Sequence, residues 1–176
     1  MTTKTIRSFV IAATTALILG APARAEPSDY ADPARGYSMK VPEGWSSPAA
    51  GGVTTSADGA VQCTVTTQAV PQTATQSQEQ VNAAMQAYTP DIWRQRFFTG
   101  GVTGTVETAG ITKMEQFDAP WARGRMAYPN GVEVKFGVLL ISAPGRLATV
   151  TCLSDPGAYD KNLAGITTVL NWLRPL

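Results

Sequence analysis

The chain has 176 residues, 44% of them hydrophobic, with 14 basic and 13 acidic side chains and no histidine. That length makes one ordinary domain able to bury a core. A near-balanced charge without blocks of like sign lacks the footprint of a nucleic-acid binder or a polybasic membrane patch. Without imidazole there is no Ser-His-Asp triad, no Cys-His pair, no histidine proton shuttle, and none of the usual zinc and copper ligands.

The first 25 residues have the pattern of a signal peptide. Lys4 and Arg7 supply a positive start, residues 9–19 an apolar run too short to cross a bilayer, and Ala23-Arg24-Ala25 an A-x-A cleavage site. Cleavage is expected between Ala25 and Glu26; the competing reading is an uncleaved anchor. The run is not followed by a cysteine that a lipoprotein would need, and Arg7 lacks the neighbouring arginine of the twin-arginine route. Removal of Lys4, Arg7 and Arg24 leaves 11 bases against 13 acids, a mature charge of −2. The expected location is periplasmic or secreted, with no stable membrane span after cleavage. In such a compartment the two cysteines, Cys63 and Cys152, are expected to form a disulfide closing a loop of 89 residues. Chain entropy assigns that bond roughly 4–5 kcal/mol. The alternative is two separate buried thiols.

Residues 26–35 are polar, carry Pro27 and Pro33, and read as a flexible leader; residues 36–176 read as a single domain. Tyr37, Met39 and Val41 alternate with Ser38 and Lys40, a strand that Pro42 ends. Glu43-Gly44 turns the chain, and Trp45 can fold back as an apolar plug. After a loop over 46–52, a short strand at 53–56 and a longer one at 60–70 flank the hairpin signal Asp58-Gly59. Val61, Cys63 and Val65 share a face. Residues 71–77 read as loop.

Val81, Met85 and Tyr88 have helical spacing over 78–88, with Ser77 and Gln80 placed for a capping box. Pro90 breaks this helix and opens a turn or short helix over 91–98. Gly100, Gly101 and Gly104 follow. They lack the Lys-Ser/Thr pair of a phosphate loop and precede no clear helix, so they read as loop. Residues 102–108 look irregular, and 110–117 a strand without a clean apolar face.

Residues 121–128 form a strand, and Asn130-Gly131 tolerates the positive φ of a tight hairpin. Residues 132–142 return antiparallel, with Val132, Val134, Phe136, Val138 and Leu140 on one face. Pro144-Gly145 turns into a third strand at 146–153. Asp155 is placed to cap a helix with Pro156 at its first position. Tyr159, Leu163, Ile166, Leu170 and Leu173 then make an apolar stripe. Near-continuous apolarity at Gly137-Val138-Leu139-Leu140-Ile141 indicates a sheet covered on both faces. The order fits an α+β fold: an α/β/α sandwich with a central, mainly antiparallel sheet and a C-terminal helix.

The segment Tyr37-Ser-Met-Lys-Val-Pro-Glu-Gly-Trp45 resembles the opening of the PsbP-like superfamily, which includes the Mog-type nuclear transport factors and many exported bacterial proteins. The mid-chain helix, the meander and the terminal helix continue the resemblance over most of residues 30–174. It implies an antiparallel sheet between helices and a mostly non-enzymatic, accessory or binding role. It brings no catalytic residues to transfer, and the Cys63–Cys152 bond is not a general mark of the family.

Carboxylate pairs could still serve a hydrolase, but the 13 acids are scattered, and Glu43, Asp58, Asp91 and Asp155 have turn or capping roles. No acidic calcium loop, no metal ligand set and no cofactor motif is present in the sequence. Two stretches stand out as surfaces. Alternation puts Arg123 and Arg125 on one strand face, and across the hairpin Lys135 can join them, with Glu133 between. This makes either a small anion or partner site, or a solvated face with Arg–Glu cross-strand pairs. In Trp93-Arg-Gln-Arg-Phe-Phe98, the aromatics either form a protein-binding surface or pack inside with the arginines as a wet edge. Trp45, Trp121 and Trp172 are expected to be packing residues. The chain therefore reads as an exported, soluble, non-enzymatic accessory or binding protein of the cell envelope, its partner another envelope protein or a small ligand. A histidine-independent hydrolase and a carrier of a small envelope ligand are the alternatives.

Overall fold

The computed structural model describes residues 26–48 and 52–176. The expected signal peptide and the Ala25 side of its cleavage site lie outside them. The described residues form two antiparallel sheets and four α-helices in the expected α+β arrangement. The larger sheet grows from local hairpins. β6 (Phe117–Ala127), β7 (Glu133–Ala143) and β8 (Arg146–Ser154) are the expected meander. Gly131 at φ 83° and Gly145 at φ 77° provide the left-handed residues that its two turns need.

β3 (Val53–Thr55) and β4 (Val61–Ala69) form the hairpin around Asp58-Gly59. β4 then lies antiparallel to β8 over nine residue pairs, from Val61↔Ser154 to Ala69↔Arg146. One of these pairs is Cys63↔Cys152, and the two cysteines are bonded as a disulfide. The residues expected to be irregular at 102–108 belong to β5 (Thr103–Met114), a 12-residue edge strand along β6. Its register shifts between Val106 and Thr108, so Glu107 is a bulge, and that break hides the period of two in the sequence. β6 also begins four residues earlier than its apolar pattern indicates. Pro120 is accommodated because the β6–β7 ladder starts only at Trp121↔Leu139. The full order is β3-β4-β8-β7-β6-β5.

The flexible leader expected at 26–35 is corrected. Ser28–Asp32 is β1, paired residue for residue with β2 (Tyr37–Val41). Its polar composition concealed it, since only Tyr30 turns toward the core. The short β9 (Arg174–Pro175) pairs with the other edge of β2 and completes a second sheet, β1-β2-β9.

The large sheet is covered on both faces, as the apolar run in β7 requires. On one face α2 (Pro90–Phe97), capped by Thr89, places Trp93, Phe97 and the adjoining Phe98 on Phe136, Val138 and Leu140. Ring centroids of Phe97 and Phe136 are 4.8 Å apart. Trp93 is fully buried while Arg94 and Arg96 are exposed, so this stretch is core with a wet edge. α1 (Gln78–Met85) carries the expected Ser77–Gln80 capping box. Its Gln78 and Asn82 side chains bond backbone groups of Ser142, Gln116 and Asp118.

The other face packs Val65, Leu139, Ile141, Val150 and the disulfide against β2 and the C-terminal segment. The single helix expected after Asp155 is two: α3 (Pro156–Lys161) and α4 (Leu163–Asn171). They divide at Asn162, whose backbone (φ −98°, ψ 10°) leaves the helical basin and whose side chain bonds Ala158 O and Asp58 Oδ2. The Trp45 ring lies against Gly165 of α4, where an added Cβ would come within 2.6 Å of it. Trp45 and Trp121 are packing residues as expected, but Trp172 is not: it is 46% exposed, with Lys40 Nζ 4.4 Å from its ring centroid.

Candidate functional site

Arg123, Arg125 and Lys135 lie on one face, as alternation requires. Arg125 is opposite Lys135, and Arg123 is opposite Gly137. Glu133 is opposite Ala127 and makes no ion pair among the described residues. The three cations have different surroundings, and they do not form one cluster. Arg125 is exposed and its Nε donates to Glu107 Oε1 at 2.8 Å. The cross-strand Arg–Glu pair thus exists, with the bulged Glu107 of β5 in place of Glu133. Arg125 lines a separate small cavity with Glu133, Val134 and Pro156.

Lys135 is largely covered, with 13% of its side chain exposed. Its Nζ donates to both carboxylate oxygens of Asp160, at 2.7 and 2.8 Å. It also sits 5.9 Å from the centroid of Tyr159. Arg123 is half-buried and makes no ion pair among the described residues. Its contacts are a long hydrogen bond from Nη2 to Thr167 Oγ1 at 3.5 Å and the Trp121 ring, 5.7 Å from Cζ to centroid. Its Nε is buried without an acceptor among the described residues.

Tyr159 completes this group. Asp155 caps α3 by accepting from Ala158 N, which fixes the first turn and directs Tyr159 down onto β7. The ring is 4% exposed, and the hydroxyl has no hydrogen-bond partner among the described residues. Burial pushes the phenol pKa above its ordinary value, against the attraction of the Arg123 charge and with smaller raising contributions from Asp160 and Glu107. A cavity of about 200 Å³ opens here between β5–β7 and the C-terminal helices, lined by Glu107, Thr108, Arg123, Lys135, Tyr159 and Leu163 among others. Arg123 also borders a neighbouring cavity of about 240 Å³ beside Trp121 and Leu170.

Sequence reasoning reached Arg123 and Lys135 through strand alternation. It placed Tyr159 only as a core position of the helix stripe. Glu107 fell in the stretch read as irregular and carried no signal of its own. The two lining carboxylates, Glu107 and Asp160, are exposed ion-pair partners, and both cysteines are in the disulfide. Among the described residues no group of three His, Cys, Asp or Glu side chains is placed to hold a metal, and no helix is long and apolar enough to cross a membrane.

No family model and no curated protein matches the chain. Solved structures share its fold. It is similar to the cyanobacterial PsbP protein CyanoP of Synechocystis sp. PCC 6803, with a TM-score of 0.57 and 16% identity over 89% of this chain and 96% of that one. It is also similar to LpqN of Mycobacterium tuberculosis, described as involved in cell envelope biogenesis, with a TM-score of 0.53 and 12% identity over 88% and 86% of the two chains. A protein from Bacteroides thetaiotaomicron gives 0.53 at 10% identity, with 86% of this chain covering 49% of that one. The chain therefore has a PsbP-like fold.

Proposed function

We propose that the chain is an exported accessory or binding protein of the cell envelope, acting without catalysis through the Arg123 cavity. The observation that carries this reading is a half-buried guanidinium with no ion pair among the described residues, in a cavity whose other charges are matched. A cation held in that way is a recognition element for something that is not part of the chain. The signal-peptide pattern, the buried disulfide and the fold shared with an envelope protein support export. The same reading places the chain as an exported member of the PsbP-like and Mog-like superfamily.

The experiment is native mass spectrometry of the protein purified from its own envelope fraction, as wild type and as Arg123→Ala. A mature N-terminus at Glu26 and a co-purifying species lost from the variant are expected. A cytoplasmic chain retaining residues 1–25, or an identical set of species in both samples, would reject the reading. Turnover of an envelope substrate that disappears on Glu107→Gln or Asp160→Asn would reject its non-enzymatic part.

A further inference from the structure

The turn between β6 and β7 presents an exposed asparagine followed by glycine, the neighbour that least hinders attack of the next backbone amide on an asparagine side chain. The chain's other asparagines, at 82, 162 and 171, precede Ala83, Leu163 and Trp172, whose side chains crowd that amide. The structure separates them further. Asn82 Nδ2 donates to Gln116 O, and Asn162 Nδ2 to Ala158 O. Asn130 is held through its oxygen, which accepts from Val132 N at 3.1 Å, and its Nδ2 makes no hydrogen bond among the described residues. Asn130, Gly131 and Val132 are exposed. Apart from the chain neighbours, no heavy atom lies within 4 Å of where a Cβ on Gly131 would stand, so nothing blocks a ring there. Two hydrogen bonds oppose the reaction. Gly131 N donates to Tyr128 O at 2.9 Å, and Tyr128 N donates to Val132 O at 2.9 Å. An amide nitrogen in such a bond keeps the proton that it must lose in order to attack.

We propose that Asn130 is a self-modification site that converts to isoaspartate, at a rate gated by opening of the β6–β7 turn. A hairpin tip held by two exposed hydrogen bonds opens far more often than the sheet unfolds. With the turn open, solvent base takes the Gly131 N–H proton, the nitrogen bonds to Asn130 Cγ, and the Cγ–Nδ2 bond breaks, Nδ2 leaving with a proton as ammonia. The resulting cyclic imide takes up one water. Hydrolysis at the Asn130 backbone carbonyl leaves the chain running through Cγ, which is isoaspartate; hydrolysis at Cγ leaves ordinary aspartate. Either way ammonia is released, water is consumed, and nothing is oxidised or reduced. Isoaspartate lengthens the main chain by one carbon and adds a negative charge close to the last ladder pair, Ala127↔Glu133. A turn lengthened in this way cannot keep both of its hydrogen bonds.

The test is timed incubation of the full mature protein at neutral pH, folded in buffer and unfolded in guanidinium chloride. Peptide mass spectrometry with electron-transfer fragmentation then distinguishes isoaspartate from aspartate. Conversion is expected at Asn130, with isoaspartate the larger product, and five- to a hundredfold slower in the folded than in the unfolded protein. Both rates should rise with pH, because the attacking nitrogen must lose its proton. Asn130→Gln, whose longer side chain needs a larger ring, should stay unmodified over the same period. Gly131→Ala, compared in the unfolded state so that the native φ of 83° plays no part, should slow conversion at least fivefold. Hydrogen exchange at the Tyr128 and Gly131 amides should be faster in the converted protein. The inference is overturned by folded protein that converts as fast as unfolded protein, or more than a hundredfold slower. Conversion at Asn82 or Asn162 of the folded protein matching that at Asn130 would also overturn it, as would unchanged amide exchange after conversion.

Discussion

The Tyr159 hydroxyl lies directly over Gly137: a Cβ built on residue 137 would stand 2.4 Å from Tyr159 Oη and 3.3 Å from Leu170 Cδ1. Gly137 is in the centre of β7, between Arg123 on β6 and Cys152 on β8, so the backbone has little freedom to retreat. Gly137→Ala is expected to destabilise the protein by about 1–3 kcal/mol through overpacking. Urea denaturation of the single variant and of Gly137→Ala with Tyr159→Phe checks this. The double variant should recover part of the loss, because the hydroxyl supplies the closest clash. A fully stable Gly137→Ala would mean that α3 does not press on β7 this tightly.

Tyr159→Phe alone, measured without added ligand, should be neutral or stabilising by up to about 1 kcal/mol. Removing a buried hydroxyl normally loses a hydrogen bond, but among the described residues this one has no partner to lose, and the desolvation penalty of the group disappears. A loss of 1 kcal/mol or more in Tyr159→Phe in the absence of ligand would show that the hydroxyl already has a partner.

The disulfide ties β4 to β8 at a directly opposed pair, and neither cysteine is exposed to solvent. Replacing both cysteines by alanine is expected to lower stability by about 3–5 kcal/mol, mainly by freeing the 89-residue loop in the unfolded chain. Because the sulfurs are covered, reductant reaches the bond only through an opened state, so reduction under native conditions should be at least a hundredfold slower than in urea-unfolded protein at the same dithiothreitol concentration. Mass-detected thiol labelling in the two conditions decides this; equal rates would show an accessible bond.

Much of the architecture was legible because it is encoded over short distances. Asn130-Gly131, Pro144-Gly145 and Asp58-Gly59 each mark a turn that fixes two strands. Ser77, Thr89 and Asp155 each cap the helix that follows. The misread elements depend on distant neighbours. Ser28–Asp32 is a strand only because β2 lies beside it, and the bulge at Glu107 breaks the period by which β5 would be recognised. Tyr159 and Arg123 line one cavity because α3 folds back over β7 and β8, a relationship that neither local sequence carries. Trp172 has no packing role because β9 leaves α4 toward β2 and keeps the indole at the surface, between Lys40 and Arg174.

Alkaline stability tests a different buried phenol. Tyr37 is fully buried, and its pKa is pushed up to about 12, first by burial and then by the nearby Tyr30 and Asp32; Arg35 opposes the shift. Only the uncharged phenol is accommodated in the native protein, whereas in the unfolded chain the group ionises near its ordinary pKa of about 10. Below that value both states hold the proton, and the stabilising contribution is fully present. As pH rises from about 10 to 12 the unfolded state loses the proton first, so stability falls by an amount on the order of 2–3 kcal/mol. Tyr159, shifted in the same direction, adds to the decline. Urea midpoints measured from pH 8 to 12 should therefore drop more steeply for wild type than for Tyr37→Phe, whose ring has no proton to lose. Parallel curves for the two proteins would show that Tyr37 ionises as easily in the native state as in the unfolded chain.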